Sequence, residues 1–141
     1  MRTFLDSSAL TKHYVREAGS ETVHERIAEA RELLVSVLVI PEIISAFNRL
    51  RREGKIDADR YTRLKQTMMA DVEDATLVSL TPSVLSQAVE CLERARLRAS
   101  DAVHIASAKE AIADLFVSGD QRQCEAARAM GLRVEEVPSD E

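Results

Sequence analysis

Four acidic residues of this chain stand where charge is costly. Asp6 closes the apolar run TFLD, Glu42 interrupts VLVIPEIISAF, Asp101 lies in RASDAVHIASA, and Asp120 follows LFVSG. A carboxylate among apolar neighbours must be hydrogen-bonded, paired with a cation or bound to a metal. Most of the 24 acidic residues lie on polar helical faces such as RIAEARE, where water accounts for them. Two carboxylates about 4 Å apart repel by roughly 4 kcal/mol at an effective dielectric near 20. Four at one place therefore need a counter-charge. Oxygen-only ligands suit Mg2+ or Mn2+, with waters completing the shell. No Cys/His set accompanies the acids, which argues against Zn2+. The competing reading for the three Asp residues is helix capping, since Asp is favoured at N-caps and in first turns. Glu42 reads equally as an ordinary first-turn Glu. There is no Ser/His/Asp nucleophile set and no GxxxxGK[ST] phosphate loop.

The surrounding pattern says which elements position these acids. Strands are expected over 2–5, 33–36, 76–80, 115–118 and 133–137. Between them, a helix from 8 to 17 is closed by Gly19, and the next runs from 20 towards the second strand. A long helix ends at Gly54 and starts either at a Ser36 cap or at Pro41. Residues 57–75 place Tyr61, Leu64, Met68 and Val72 on one core-facing stripe. Thr81 and Pro82 open a helix carrying Val84, Leu85, Ala88, Val89 and Leu92, the Asp101 helix follows, and the last, 120–130, stops at Gly131. Strands alternating with helices imply right-handed crossovers and a mostly parallel sheet covered on both faces. The expected fold is α/β, three-layer α/β/α with five strands, as one domain over 1–137 and a frayed tail over 138–141. Ligands of such sheets sit beyond the carboxyl ends of the strands, near the point where strand order reverses. Asp6 and Asp120 follow strands directly, and the helices bearing Glu42 and Asp101 can reach the same edge.

A net charge of −5 argues against a protein that coats nucleic acid. A nuclease is compatible with it, because a divalent ion and a local basic patch invert the field at the site. Cys91 and Cys124 stand alone and read as reduced, half-buried thiols of a cytosolic protein. The start has no signal-peptide character, and LLVSVLVIPEII is broken by Ser and Pro and too short to span a bilayer. A cytoplasmic protein without membrane association is expected.

Together, FLDSSAL, Glu42 in a long helix, SDAVHIASA and FVSGD ahead of a helix resemble the four acidic motifs of PIN-domain ribonucleases. The likeness is nearest to single-domain toxins of the virulence-associated protein C type, in motif order and spacing over nearly the whole chain. The resemblance implies a PIN-like fold and a Mg2+- or Mn2+-dependent endoribonuclease, the toxin of a toxin–antitoxin pair, held inactive by its cognate antitoxin. It makes Asp6 and Asp101 the principal metal ligands and Asp120 a further one, with Glu42 completing the catalytic pocket. Ser118 stands where the family often has Thr in a Thr-x-Asp motif, and Gly119 departs as well. One or two divalent ions would activate water and stabilise charge on the phosphorane and leaving oxygens.

Ser8 and Ser118 are supporting candidates, Ser8 as a hydrogen bond to a carboxylate or as a cap of the first helix. His104, one turn beyond Asp101, reads as a packed core histidine ahead of a general base. Lys12, Arg49, Arg52, Arg98 and Arg122 are candidates for RNA phosphate contact. Solvated helix ends favoured by the dipole are the competing reading for NRLRREGK and ERARLR. Tyr14 and Val23 are candidate anchors for the antitoxin, and a homodimer is a second expected assembly. A receiver-type domain would need an acidic residue after the third strand, where TLVSLTP has none. A haloacid-type phosphatase would need Asp where Ser8 sits. The remaining alternative is a non-catalytic PIN-like module that binds protein or RNA.

Overall fold

The computed structural model describes residues 1–139. Its elements in chain order are β1 (Arg2–Leu5), α1 (Ser7–Tyr14), α2 (Ser20–Glu29), β2 (Glu32–Ser36), α3 (Val39–Arg52) and α4 (Ala58–Asp74). Then follow β3 (Thr76–Val78), α5 (Pro82–Arg94), α6 (Ala99–Glu110), β4 (Leu115–Ser118), α7 (Gln121–Ala129) and β5 (Val134–Glu136). All five strands are parallel, in the order β3-β2-β1-β4-β5. The chain builds outward from β1 to one side, then returns to the other side of β1 with β4. The strand order reverses at the β1–β4 seam.

Alternation along the strands divides the core into two layers. Phe4, Leu34 and Phe116 are in register and face α5, α6 and α7, with the Phe4 and Phe116 rings stacked at 5.5 Å. Leu5, Val35 and Val117 belong to the opposite layer, which packs against α1 to α4 through Leu10, Val23, Ile43, Phe47 and Met68. Both faces of the sheet are covered, as parallel strands require.

Several boundaries differ from the expected ones for identifiable reasons. α1 stops at Tyr14, and Gly19 opens α2 as its N-cap with φ 91°. A Cβ on Gly19 would lie 2.3 Å from the Pro138 carbonyl oxygen, so the close approach of the C-terminal segment requires glycine there. α2 ends at Glu29 because the residues beyond it are taken into β2, where Leu34 is fully buried. α3 begins at Val39, between the two expected starts. Ser36 Oγ accepts the Leu38 N–H, and Pro41 falls in the first turn, where a missing N–H loses no helical bond. On α5 only the Val84, Ala88 and Cys91 stripe is buried; Leu85, Val89 and Leu92, one step round the helix, face solvent. β3 and β5 are each shorter than expected, ending at Val78 and Glu136.

Cys91 and Cys124 are free thiols, fully rather than half buried. Burial pushes the Cys124 thiol up to about 12, the behaviour of a small core side chain. Among the described residues no helix is long and apolar enough to cross a membrane. The expected frayed tail falls partly on residues 140–141, outside the described residues.

Candidate functional site

Parallel pairing of β1 with β4 delivers two strand ends to one place. The Asp6 N–H donates to the Val117 carbonyl at 3.2 Å, extending the ladder one residue past β1. Asp6 then caps α1: its Oδ1 accepts the Ala9 N–H at 2.9 Å and the Ser8 hydroxyl at 2.7 Å. Its Oδ2 accepts the Ser118 hydroxyl at 2.5 Å. That same Ser118 oxygen accepts the Asp120 N–H at 3.0 Å, and Ser8 Oγ accepts the Gly119 N–H at 3.0 Å. Two hydroxyls therefore tie Asp6 to the backbone of the SGD turn. With two lone pairs per carboxylate oxygen, Oδ1 is filled and Oδ2 keeps one free. Burial holds the Asp6 carboxyl above its ordinary value, despite these donors and nearby His104. Ser8 orients Asp6, and Asp6 itself is the cap.

Asp120 caps α7, its Oδ1 accepting the Gln123 N–H at 3.1 Å. Asp101 lies in the first turn of α6, held by the Arg98 Nε at 3.2 Å from Oδ2. The hydrogen bond and charge of Asp101 raise the Arg98 guanidinium, and the charges of Asp120 and Glu42 add to the effect. Gln123 Nε2 donates to the Asp101 carbonyl at 3.3 Å, fastening α7 to α6. Asp101 and Asp120 line one cleft of about 680 Å3 together with Arg96, Arg98 and Arg122. Asp120 thus caps a helix and lines the cleft at once. Helix first turns are how the fold aims these acids.

Glu42, in the first turn of α3, lines a separate cleft of about 360 Å3 with Ser7, Ser8, Arg49 and Gly119. Its Oε1 accepts the Ser7 hydroxyl at 2.8 Å and lies 2.5 Å from His104 Nε2. Burial alone would raise the Glu42 carboxyl, but His104 and Ser7 outweigh it and hold the group below its ordinary value. His104 is the packed core residue expected, edge-on to Phe4 at 6.3 Å, and it is also this carboxylate's partner. Ser7 and Gln123 are further residues of the site, beyond the candidates named from sequence. The signal for Ser7 is helical spacing, which turns positions 7 and 8 of one DSS run towards different acids.

The cationic candidates separate. Arg98 and Arg122 border the Asp101 cleft and Arg49 the Glu42 cleft; Arg52 lines neither. Lys12 also lines the Glu42 cleft, but with its ammonium already engaged. It is 4% exposed, and its Nζ is occupied by Glu17 at 3.2 Å and by the Ala18 carbonyl at 2.8 Å. Its stem lies against Gly119, where a Cβ would meet Lys12 Cε at 2.8 Å. Tyr14 and Val23 are corrected as antitoxin anchors, because both belong to the core.

The oxygen-only donor set suits Mg2+, which keeps several waters and takes one or two carboxylates. Asp101 and Asp120, which line one cleft, are the residues that could supply those two. A fuller ligand set including Asp6 is not assembled: among the described residues no three Asp, Glu, His or Cys side chains converge closely enough to hold an ion.

No curated protein matches the chain in sequence. Solved structures match over most of its length. DNA-bound VapBC from Salmonella typhimurium aligns with TM-score 0.71 at 11% identity, covering 96% of this chain and 98% of that one. VapC20 of Mycobacterium tuberculosis, described as a sarcin–ricin loop cleaving toxin, aligns with TM-score 0.67 at 17% identity, covering 92% and 95%. PAE2754 from Pyrobaculum aerophilum aligns with TM-score 0.67 at 20% identity, covering 95% and 83%. At these identities the likeness is one of fold. The sequence itself matches the PIN domain model over residues 3–129, so this chain belongs to the PIN domain family.

Proposed function

We propose that this protein is a metal-dependent endoribonuclease, the toxin of a toxin–antitoxin pair, hydrolysing RNA phosphodiester bonds in the cytoplasm. The observation that carries the reading is one cleft lined by both Asp101 and Asp120 together with Arg96, Arg98 and Arg122. Carboxylates that attract a divalent cation, beside guanidiniums that attract phosphate, are the pair of charges that phosphodiester hydrolysis needs. Bound Mg2+ or Mn2+ would supply an activated water and a Lewis acid for the scissile phosphate. Asp101 and Asp120 would hold the ion from the cleft. Asp6, with one lone pair free, would support it from the buried seam through Ser118. Arg98 would exchange its contact with Asp101 for one with RNA phosphate, and Arg122 and Arg49 would hold the strand on either side. Glu42 would act from its own cleft on the α3 side.

The named activities of similar folds support this reading. One is a toxin that cleaves the sarcin–ricin loop, and another is a toxin–antitoxin complex from Klebsiella pneumoniae. A protein antitoxin is accordingly the proposed partner. With Tyr14 and Val23 buried, its seat would be the half-buried apolar side chains of Ile40, Ile44, Tyr61 and Leu64 on α3 and α4. The exposed Leu85, Val89 and Leu92 stripe of α5 is the surface we assign to a homodimer.

Two observations favour a second reading, a PIN-like module that binds without cutting. Among the described residues no three acids converge, and Arg98 already pairs with Asp101. The deciding experiment incubates purified protein with total RNA and Mn2+, with and without the neighbouring gene product, and maps the cut ends. Mn2+-dependent cuts that the partner suppresses support the toxin. RNA or protein binding with no cut ends at any divalent concentration supports the module.

A further inference from the structure

His104 occupies a position that an apolar residue would fill at lower cost. Its ring is 2% exposed, edge-on to Phe4, within the layer formed by α5, α6 and α7. Its Nδ1 is buried with no hydrogen-bond partner. A buried polar atom without a partner loses stability that a leucine of similar volume would keep. The other nitrogen is fully engaged. Nε2 lies 2.5 Å from Glu42 Oε1, and an ionised carboxylate oxygen only accepts, so Nε2 bears a hydrogen whatever the charge of the ring.

The partner it engages is bound twice on one side. Ser7 Oγ donates to the same Oε1 at 2.8 Å. The two donors come from α1 and α6, which pack on opposite faces of the sheet, and they meet on a residue of α3. With Ser7 and His104 both on Oε1, and Ser100 also contributing to the carboxyl, Glu42 is held in place in the cleft it lines with Ser8, Arg49 and Gly119. The hydrogen bonds also hold the half-buried Glu42 carboxyl below its ordinary value, against the effect of burial.

We propose that His104 is a positioning residue for Glu42, fixing the carboxylate together with Ser7 in the cleft proposed to take RNA. The role in cleavage rests on the endoribonuclease reading, whereas the orienting contact exists without metal or RNA. Both are therefore tested separately.

The test compares His104→Leu, His104→Gln and His104→Asn. Gln places an amide N–H near Nε2, Asn places one near Nδ1, and Leu keeps only volume. In the metal-free protein, NMR titration of the Glu42 side-chain carboxyl should show a raised pKa in His104→Leu and His104→Asn, and near-parent behaviour in His104→Gln. The melting temperature of His104→Leu should equal or exceed the parent's. In Mn2+-dependent cleavage, His104→Leu and His104→Asn should lose about 10- to 100-fold in kcat with KM nearly unchanged, and His104→Gln should recover most of it. Ser7→Ala serves if a His104 variant fails to fold, and should shift Glu42 in the same direction. An unchanged Glu42 titration in His104→Leu and Ser7→Ala overturns the proposal, as does Gln behaving like Asn in both assays. If the parent cleaves nothing while the Glu42 shifts appear as stated, the positioning contact stands and the nuclease reading falls.

Discussion

Ser118 and Asp6 are joined by a 2.5 Å hydrogen bond across the β1–β4 seam, and the same Ser118 oxygen accepts the N–H of Asp120. One hydroxyl thus serves two of the four acids, from a side chain with no exposure at all. Replacing it by alanine leaves a buried carboxylate oxygen and a backbone N–H without their partner. Ser118→Ala should cost about 1–3 kcal/mol, read as a lower urea midpoint at unchanged m-value. Cleavage should fall with it, because Asp6 and Asp120 lose their common reference.

Asp101→Asn separates a structural acid from a functional one. Its partner Arg98 has a side chain 78% exposed, so their ion pair is worth no more than about 1 kcal/mol. The amide keeps the shape, and the metal-free melting temperature should stay within a few degrees of the parent. Mn2+-dependent cleavage should drop by orders of magnitude. A fully active Asp101→Asn would remove Asp101 from the site and most of the nuclease reading with it.

Divalent binding should register as stability. A ligand that binds only the folded chain adds about 2.7 kcal/mol at one hundred times its Kd. The parent should therefore melt higher as Mn2+ is raised through the millimolar range, and Asp101→Asn should show little of that rise. A flat parent curve would favour the binding-module reading.

Acid sensitivity should trace in part to His13. Its ring lies 4.9 Å from that of His24, with Nε2 3.9 Å from Asp71. Burial, then the charge of His24, hold it below its ordinary value of 6.5, against the pull of Asp71. The unfolded chain thus takes up this proton first. The contribution is fully present above the unfolded value and is lost as pH falls through the folded one. His13→Phe should shrink the loss of melting temperature between neutral and mildly acidic buffer. An identical loss in both proteins would exclude His13 as a source.

A further check on the fold lies far from the acids. Ile112 has φ 53° and is 76% exposed, just past α6, with its carbonyl accepting Arg2 Nη1 at 2.9 Å. A β-branched side chain in the left-handed region is strained, and here it covers little in return. Ile112→Gly should raise stability by about 0.5–1 kcal/mol in urea unfolding.

Local chemistry was enough for much of this architecture. Thr81 and Pro82 open α5, Asp57 caps α4, and Gly54 and Gly131 end helices with positive φ, because each acts through its own backbone within a few residues. Short apolar runs likewise marked five strands, and their alternation with helices marked the parallel sense. The four acids were conspicuous for the same reason, each being the wrong residue type for its immediate neighbours. What no local rule carries is direction and partnership. Leu85 and Val84 are equally apolar, and only docking of α5 on α6 decides which is buried. Lys12 reads as a free cation until the loop carrying Glu17 and Ala18 closes over it. Ser7 and Ser8 are chemically alike and adjacent, yet one serves Glu42 and the other Asp6, because residues 35 positions apart meet only when α1 packs against α3. The sequence by itself determined which groups carry charge and which segments are helix or strand. The tertiary structure alone decided which hydrogen bonds fill each carboxylate oxygen, and therefore which oxygens remain free for chemistry.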